Sequence, residues 1–486
     1  MARVSTSNTS YSIADETALG VPGTAWYLLE PNDVPTFGPV VETISRNPIS
    51  KGRQRKKGSP IRITSDVEME FDVTYAHMLL FAPKILLATL QGARIFVPSA
   101  CDTDSFTVTA NGAALAQNDL IRVRGAVNPE NNGLHVVGAA ATTTDITVGS
   151  TLVAETLPAN ARVELCGVRT ASGDLDVDAS GNLTATALDF TTLPLHVGQV
   201  ISVGGDAATN RFTNILNRGT ARVTAIAAGV LTLDNSAFVT EANTTQLVDI
   251  YFGPYVEHVN SDDAEYDETT SHIEAFWTDL DNPAADMYEY AKGNYMNTID
   301  MSLSEGEKAT MSVGWLGTDT DPPTTSRATG ASTGLAPNAN TMYNCGSDLG
   351  VLRVTQYDDT GLTTCFTDLT LTITNNRTPF YCMGKLGADA VDVGDLEVDV
   401  SATIQFDNAG VLAAIRNNET VSAEIYLKNA DGGIIFDIPG ATLSNGARQL
   451  NENSAVTATL DLASHEDDTT GKSVTISFLP YVPVYV

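Results

Sequence analysis

The segment 330–334, GASTG, has the spacing of a nucleophile elbow, in which a serine flanked by glycines attacks an acyl carbon. This chemistry requires a strand before the serine, here Ser332, and a helix after it. Pro322 and Pro323 precede the motif instead, and the residues LAPN follow it. We therefore interpret Ser332 as part of a connecting segment, and we expect that the protein is not an enzyme.

Three aspartates at alternate positions, Asp174, Asp176 and Asp178, are typical of the start of a calcium-binding loop. Such a loop has glycine at its sixth position and glutamate at its twelfth, where this sequence has Ala179 and Ala185. The alternation also suits a strand with one solvated face, which we favour. The six histidines and five cysteines show none of the spacings typical of zinc sites. The sequence therefore predicts neither a metal nor another cofactor.

The net charge is strongly negative, because 27 Lys and Arg stand against 59 Asp and Glu and give −32 over 486 residues. This charge argues against general binding to nucleic acid or to anionic membranes, both of which need basic surface. Acidic residues are densest in segment 257–290, which contains no Lys or Arg. We interpret the acidic residues of 261–274 as a solvated loop rather than a cation site.

One short segment is basic against this background, and its cationic residues are Arg46, Lys51, Arg53, Arg55, Lys56, Lys57 and Arg62. One interpretation is an arm that binds nucleic acid. The other is a strap that docks on the acidic loops of a second copy and orients subunits during assembly. We favour the strap, because the same chain offers abundant acidic surface for it.

The composition favours β-structure, since charged residues make up only 18% of the chain and the polar remainder is rich in Thr, Asn, Ser and Gly. Segment 67–74 alternates as a half-buried strand does, with Glu68, Glu70 and Asp72 on its solvated side. Segment 76–92 follows as the best helix candidate. The polar start and the short apolar runs predict neither an export signal nor a membrane anchor.

Two stretches far apart in the chain, 65–90 and 394–418, share one pattern: an alternating strand followed by a helix. We therefore predict a β-sandwich unit with a flanking helix that is present twice, with an insert in the first copy. The first unit begins with a polar arm and includes a basic loop at 46–62, and the second includes a short helix at 408–416. The predicted boundaries are 1–98 with 256–325 for the first unit, 99–255 for the insert with repeats at 118–148 and 197–235, 326–338 for a linker, and 339–486 for the second unit.

Segments 19–61 and 275–317, together with the strand-rich part of the second unit, resemble the major tail tube proteins of bacteriophages with long, non-contractile tails. The resemblance implies a mainly β fold with two tail-tube-type β-sandwich domains, each with a flanking helix, plus an inserted small all-β region with internal repeats. Proteins of this family form stacked rings whose inner sheets join into a β-barrel around a lumen. Two units per chain imply rings of three copies with pseudo-sixfold symmetry, from which the insert projects outward.

The resemblance further implies a structural virion protein, assembled in the host cytoplasm, whose tube conducts genomic DNA during ejection without binding it specifically. The implied partners are further copies of the same chain and the tape measure, distal tail and terminator proteins. No membrane takes part.

Acidic residues beside the predicted helices are candidates for the lumen surface, since negative charge repels DNA phosphates. They are Glu68, Glu70, Asp72, Asp395, Glu397 and Asp399. The alternative, that these residues face the exterior, stays open. A second functional interpretation is that the repeats of the insert bind a host-surface glycan. That function would require exposed aromatic side chains, for which Phe190, Phe212 and Phe238 are the candidates.

Overall fold

The computed structural model describes residues 4–33, 35, 37–46, 57–109, 112–138, 141–234, 236–279, 286–331, 336–337, 339–356, 366–405, 416–450 and 455–484. The fold is mainly β, as predicted, and its strands form two large sheets and three small ones. Within these residues, no helix combines the length and apolarity needed to cross a membrane.

The strands form three groups along the chain. Before the insert lie β1 (Val4–Ala18), β2 (Val21–Leu29), β3 (Val40–Ser45), β4 (Gly58–Thr64) and β5 (Val67–Asp72), followed by the helix α1 (Tyr75–Leu86). The insert contains β6 (Ile95–Phe96), β7 (Pro98–Cys101), β8 (Ser105–Val108), β9 (Asp119–Arg124), β10 (Gly133–Val136), β11 (Asp145–Thr147), β12 (Glu155–Thr156), β13 (Arg162–Arg169), β14 (Leu175–Val177), β15 (Leu183–Ala185), β16 (Val200–Val203), β17 (Gly219–Ala227), β18 (Val230–Asp234) and β19 (Asp249–Tyr251). The remaining strands are β20 (Tyr255–Glu257), β21 (Ser271–Asp279), β22 (Met287–Ser304), β23 (Thr310–Leu316), β24 (Asp319–Thr320), β25 (Leu349–Gln356), β26 (Phe366–Thr374), β27 (Thr378–Phe380), β28 (Ala390–Asp392), β29 (Glu397–Gln405), β30 (Thr420–Asn429), β31 (Gly432–Leu443), β32 (Arg448–Gln449), β33 (Thr457–Ser464) and β34 (Thr475–Leu479).

The helix α1 is capped at both ends. The hydroxyl of Thr74 accepts a hydrogen bond from the main-chain N–H of His77 at 3.1 Å. Leu87 takes the left-handed conformation, with φ of 54°, and ends the helix. The prediction that the helix continues to about Gly92 is therefore wrong, because the chain beyond the cap forms β-bridges to residues of the 255–266 region.

Two sets of five strands share one pairing scheme. Across the sheet, the first set has the order β1-β21-β22-β23-β5, and the second has the order β25-β30-β31-β33-β29. In both sets, the first strand along the chain pairs with the third, the third with the fourth, the fourth with the fifth, and the fifth with the second. The strand β26 pairs with β22 and β29 and thereby joins both sets into one sheet.

The start of the chain is a strand and not the polar arm that its Ser and Thr content predicts. The strand β1 pairs with β2 on one side and with β21 on the other. Its residues Tyr11 and Ile13 are buried in the main core. Apolar alternation in this segment covers only a few residues, so pairing with distant strands determines its structure. Of the predicted helix at 408–416, only Arg416 lies within the described residues, and it is helical.

The described part of the predicted linker is held against the first set of strands. The guanidinium of Arg327 donates hydrogen bonds to the buried carboxylate of Glu274 at 2.6 and 3.0 Å. The same guanidinium lies 5.2 and 5.4 Å from the ring centres of Phe276 and Tyr288. A charged pair with aromatic cover fixes the path of this connection.

The insert has a core of its own, and its two halves repeat one hydrogen-bond network. The amide of Asn131 donates to Glu155 at 2.6 Å, and the amide of Asn217 donates to Glu241 at 2.7 Å. Both pairs are related by the same offset of 86 residues. The network therefore extends the repeat past the ends that the sequence pattern indicates, which are residues 148 and 235.

Polar contacts join the insert to the second set of strands and to the residues that follow β34. Arg222 in β17 donates to the carboxylate of Asp437 in β31 at 2.6 and 2.9 Å, and Asp437 is fully buried. Arg124 donates to the main-chain carbonyl of Pro480 at 2.8 Å. The hydroxyl of Tyr481 donates to a carboxylate oxygen of Asp206 at 2.6 Å. The last strand, β34, belongs to the main sheet, and the residues that follow it contact the insert.

Candidate functional site

The candidate functional site is the solvated face of the main sheet, which we call the acidic face. Six adjacent strands form it in the order β5, β23, β22, β26, β29 and β33, with β22 contributing from residue 298 onward. Alternate residues of these strands, such as Phe71 and Val400, point into the core beneath α1. Where these six strands pair with one another, they contain no Lys, Arg or His.

Acidic side chains occupy the solvated positions at both sides of this face and in its middle. They are Glu68, Glu70, Asp72, Asp300, Asp368, Glu397, Asp399 and Asp461. Strand register places them in rows: Glu70 lies opposite Ser312, which is followed across the sheet by Asp300, Thr372 and Asp399. At about 4.8 Å between strands, this row is roughly 19 Å wide. The face is therefore a broad surface of negative charge.

Hydroxyl groups donate hydrogen bonds to some of these carboxylates and leave their negative charge unchanged. The hydroxyl of Thr372 donates to Asp300 at 2.8 Å, and that of Ser401 donates to Asp461 at 2.6 Å. Cross-strand pairs of this kind satisfy the carboxylate oxygens and keep the charge in place. Serine and threonine on the same face thus orient the carboxylates across the strands.

Five of the six predicted lumen candidates lie on the acidic face, and these are Glu68, Glu70, Asp72, Glu397 and Asp399. The sixth, Asp395, precedes β29 and lies in a cleft with His258 and His465, outside the rows. Asp72 lies at the end of β5 and pairs with Lys308 of the neighbouring turn at 2.6 Å. The negative charge is therefore least compensated in the rows of Glu68 and Glu70.

Sequence reasoning missed the carboxylates of Asp300, Asp368 and Asp461. Each follows the alternation of its strand, as Asp300 does between the buried Ile299 and Met301. The strand pattern therefore contained a signal for all three. Asp300 and Asp461 share rows with predicted residues, whereas Asp368 lies in the row of Ser304 and Thr403. These places depend on register, which the pattern does not contain.

Asp399 provides a pH-dependent test of the acidic face. Partial burial raises the pKa of its carboxyl, and the neighbouring charges of Glu397 and Asp461 raise it further. When a carboxyl has a higher pKa in the folded state than in the unfolded state, its ionisation lowers the stability of the fold. This loss of stability is absent below about pH 4 and develops as the pH rises through the pKa of the folded state.

We expect Asp399→Asn to raise the thermal midpoint of the isolated subunit by about 1 °C at pH 7 and to leave it unchanged at pH 3.5. Calorimetry at both pH values measures the difference. The exposed Glu130→Gln is the control, with no pH-dependent gain expected. A gain for Asp399→Asn that is equal at both pH values would contradict the assigned cause.

The three predicted strap residues that the structure describes lie on or near the hairpin formed by β3 and β4. Arg46 follows β3 and Lys57 precedes β4, and both are exposed. Arg62 lies within β4, 3.7 Å from Glu42, and its guanidinium covers the ring of Tyr381 at 4.0 Å. Part of the predicted basic loop is therefore strand. The other predicted strap residues, Lys51, Arg53, Arg55 and Lys56, lie outside the described residues, as does Ser332.

The aromatic residues that a glycan site would need are inside the insert. Phe190 and Phe212 are buried in its core, and Phe238 packs against that core. A glycan-binding surface normally presents aromatic rings to solvent, because sugars stack on exposed ring faces. These three residues do not form such a surface.

The three aspartates with calcium-like spacing bind main-chain groups. Asp174 accepts hydrogen bonds from the N–H groups of residues 186–188, and Asp178 accepts them from Ser180 and Asn182. Asp176 accepts one from the N–H of Asn243 at 2.7 Å. Across the described ranges, no three His, Cys, Asp or Glu residues are grouped to hold a metal ion.

Comparison with known proteins identifies the family. A search of curated proteins found no match. A family model described as phage tail tube protein matches residues 6–464, which include the insert and the whole acidic face from β5 to β33. The chain therefore belongs to the phage tail tube protein family.

Proposed function

We propose that this virion protein polymerises as stacked rings and forms the tube of a long, non-contractile tail, through which DNA is ejected. The observation that carries the proposal is the acidic face, which spans six strands without a basic residue in their paired parts. Turned toward a lumen, this face repels phosphates, so that DNA slides past without being held. The role is structural and involves no catalysis or cofactor.

The proposal includes a duplication of the tail tube unit. The two five-strand sets with one pairing scheme support it, as does β26, which continues the sheet from one set to the other. In this arrangement, three chains complete a ring with pseudo-sixfold symmetry. The unit boundaries are those predicted from the sequence, with the insert of residues 99–255 on the outside of the ring.

The outer edge of β5 supports closure of the sheet between chains. Among the described strands, β5 pairs with β23 alone, so its other edge has no strand partner. Main-chain groups at a sheet edge need partners, and a ring of sheets supplies them from the next subunit. A contact that repeats with a fixed rotation closes into a ring.

Assembly takes place in the host cytoplasm in this proposal, and the partners are further copies of the chain and the other tail proteins: tape measure, distal tail and terminator. The basic residues around the β3–β4 hairpin act as a strap between copies. The acidic surface of the same chain supports this role, because opposite charges orient association.

Electron microscopy of the purified protein tests the proposal. We expect tubes or rings, and averaged end-on views should show three equivalent subunits with six similar inner lobes. Mass measurement of single rings should give three times the chain mass of 51.4 kDa. A protein that remains monomeric at high concentration would contradict the proposal, and six separate chains per ring would contradict its trimeric form.

The double substitution Lys56→Glu with Lys57→Glu is expected to impair ring stacking and to leave the fold intact. Reversing two cations replaces electrostatic attraction between copies with repulsion, so assembly should be impaired most at low salt. Sedimentation measures polymer yield, and circular dichroism checks the fold. Normal tube assembly by this variant, at low and at high salt, would reject the strap.

A further inference from the structure

A cavity beside α1, which we call the α1 cavity, has the size of a small-molecule site. It has a volume of about 330 Å³ and lies between the first half of the helix, β2, β6 and the start of β13. Ligand sites in proteins have volumes of roughly 300–1,000 Å³. Because a cavity of about 150 Å³ holds one benzene molecule, the α1 cavity has room for roughly twelve non-hydrogen atoms.

Most of the wall of the α1 cavity is aliphatic. Leu79 and Leu80 come from α1, Leu90 follows the helix, and Ile95 lies in β6. Pro337 contributes a further apolar surface. A wall of this kind favours a ligand with an aliphatic chain, because binding removes both apolar surfaces from water.

One buried ring nitrogen in the wall needs a hydrogen-bond donor. His77 lines the cavity with only 4% of its surface exposed, and its Nε2 bonds to none of the described residues. Its Nδ1 lies 3.4 Å from the carbonyl oxygen of Asp72, which can only accept, so Nδ1 carries the proton and Nε2 is an acceptor. Burial lowers the pKa of His77 and keeps the imidazole neutral at pH 7. A ligand that donates to Nε2 would remove the cost of leaving this atom unpaired.

A carboxylate in the wall offers a second acceptor. Glu164 in β13 is 6% exposed and lines the cavity, and its Oε2 accepts no hydrogen bond from the part of the chain that the structure describes. The ion pair with Arg124, in which Nε lies 3.3 Å from Oε2, compensates the charge of the carboxylate. The need for a hydrogen-bond donor at Oε2 is left unmet.

The charges of the wall favour a ligand with a neutral head. Arg162 lies two positions before Glu164 in β13 and lines the same cavity, where its Nη1 donates to the carbonyls of Ala159 and Ala161 at 2.8 and 2.7 Å. An ammonium head would therefore meet the charge of Arg162, and a carboxylate head would meet that of Glu164. A hydroxyl group avoids both repulsions, and it can donate to the two acceptors and accept from the guanidinium.

We propose that the α1 cavity binds a small neutral amphiphile that has an aliphatic chain and a hydroxyl-bearing head. The chain packs against the leucines of α1, and the hydroxyl groups donate to Nε2 of His77 and Oε2 of Glu164. The inference does not depend on assembly into rings, so its failure would leave the proposed function standing.

Isothermal titration calorimetry of the purified full-length chain with 1,2-octanediol tests the site. We expect saturable binding of one molecule per chain. Octanoate and octylammonium have the same number of carbons and a charged head, and we expect them to bind at least about tenfold more weakly. The inference would be overturned by a diol that shows no saturable binding, or by a charged compound that binds as tightly as the diol.

A substitution that fills the cavity tests the location of the site. Leu79→Trp should abolish binding of the diol, whereas Leu216→Trp, at an exposed position of the insert, should leave it unchanged. Circular dichroism checks that both variants are folded. A folded Leu79→Trp chain that binds the diol with the parent's affinity would place the site elsewhere and overturn the inference.

His77→Phe tests the hydrogen bond to Nε2. It keeps an aromatic ring beside Phe81, whose centre lies 5.9 Å from that of the His77 ring, and removes the nitrogen. We expect the dissociation constant of the diol to rise about fivefold, as for one lost hydrogen bond. His465→Phe, at an exposed position, is the control and should bind as the parent does. Equal affinities of His77→Phe and the control would reject the proposed binding mode.

Discussion

Arg222→Met is expected to lower the free energy of unfolding by about 3–5 kcal/mol, because it leaves the carboxylate of Asp437 buried without its partner. Burial disfavours the charged guanidinium, yet Asp437 more than compensates and raises the pKa of Arg222. Arg222 also lies 3.3 Å from Asp234, so it forms ion pairs with two carboxylates. Urea titration of the unassembled subunit, followed by circular dichroism, measures the loss.

Two further variants separate the ion pair from general damage. Combining Arg222→Met with Asp437→Leu removes both charges and should recover most of the stability, since a buried ion pair can be replaced by apolar packing. The exposed Arg416→Ala should change the unfolding midpoint little. If Arg222→Met unfolds at the parent's midpoint, the pair does not hold the insert to the sheet.

Reversing one row of the acidic face is expected to convert a repelling surface into one that retains DNA. The variant carries Glu70→Lys, Asp300→Lys and Asp399→Lys, all at exposed positions of one row. Each subunit then gains six units of positive charge, and a ring of such subunits offers many phosphate contacts. We expect tubes of normal shape that bind double-stranded DNA at low salt, and phage that adsorb but deliver few genomes.

Salt dependence identifies the origin of that binding. Binding through several phosphate contacts should weaken by about 10³-fold or more between 50 and 200 mM salt. The matched control carries Asp102→Lys, Glu130→Lys and Asp468→Lys, which make the same charge change at exposed positions off the acidic face. If this control retains DNA and blocks delivery to the same extent, the acidic face has no special relation to the passage of DNA.

For some strands, both the strand and its solvated side could be predicted from alternation alone, which was not so for β1. Val67, Met69 and Phe71 are buried and Glu68 and Glu70 are exposed, as the pattern in β5 predicts. The same holds for β29, which forms in the alternating part of segment 394–418. Alternation succeeds here because one side of each strand packs on the core and the other meets water.

Contacts between distant segments could not be predicted from the sequence. Nothing local connects Arg222 to Asp437, which are 215 positions apart, and nothing local ends α1 at Leu86. A cavity of about 330 Å³ beside α1 is lined by the helix, β2, β6 and residues 336–337 together, so none of their separate patterns contains it. Such features arise from three-dimensional packing, which pattern reasoning does not supply.

The strand β34 has a consequence for the timing of synthesis. It lies between β20 and β31, and the residues just after it bind Arg124 and Asp206 of the insert. Pro480 lies 356 positions after Arg124, so the insert is synthesised long before the residues that it contacts here. The insert can therefore reach its final position only after β34 and the residues that follow it have been made.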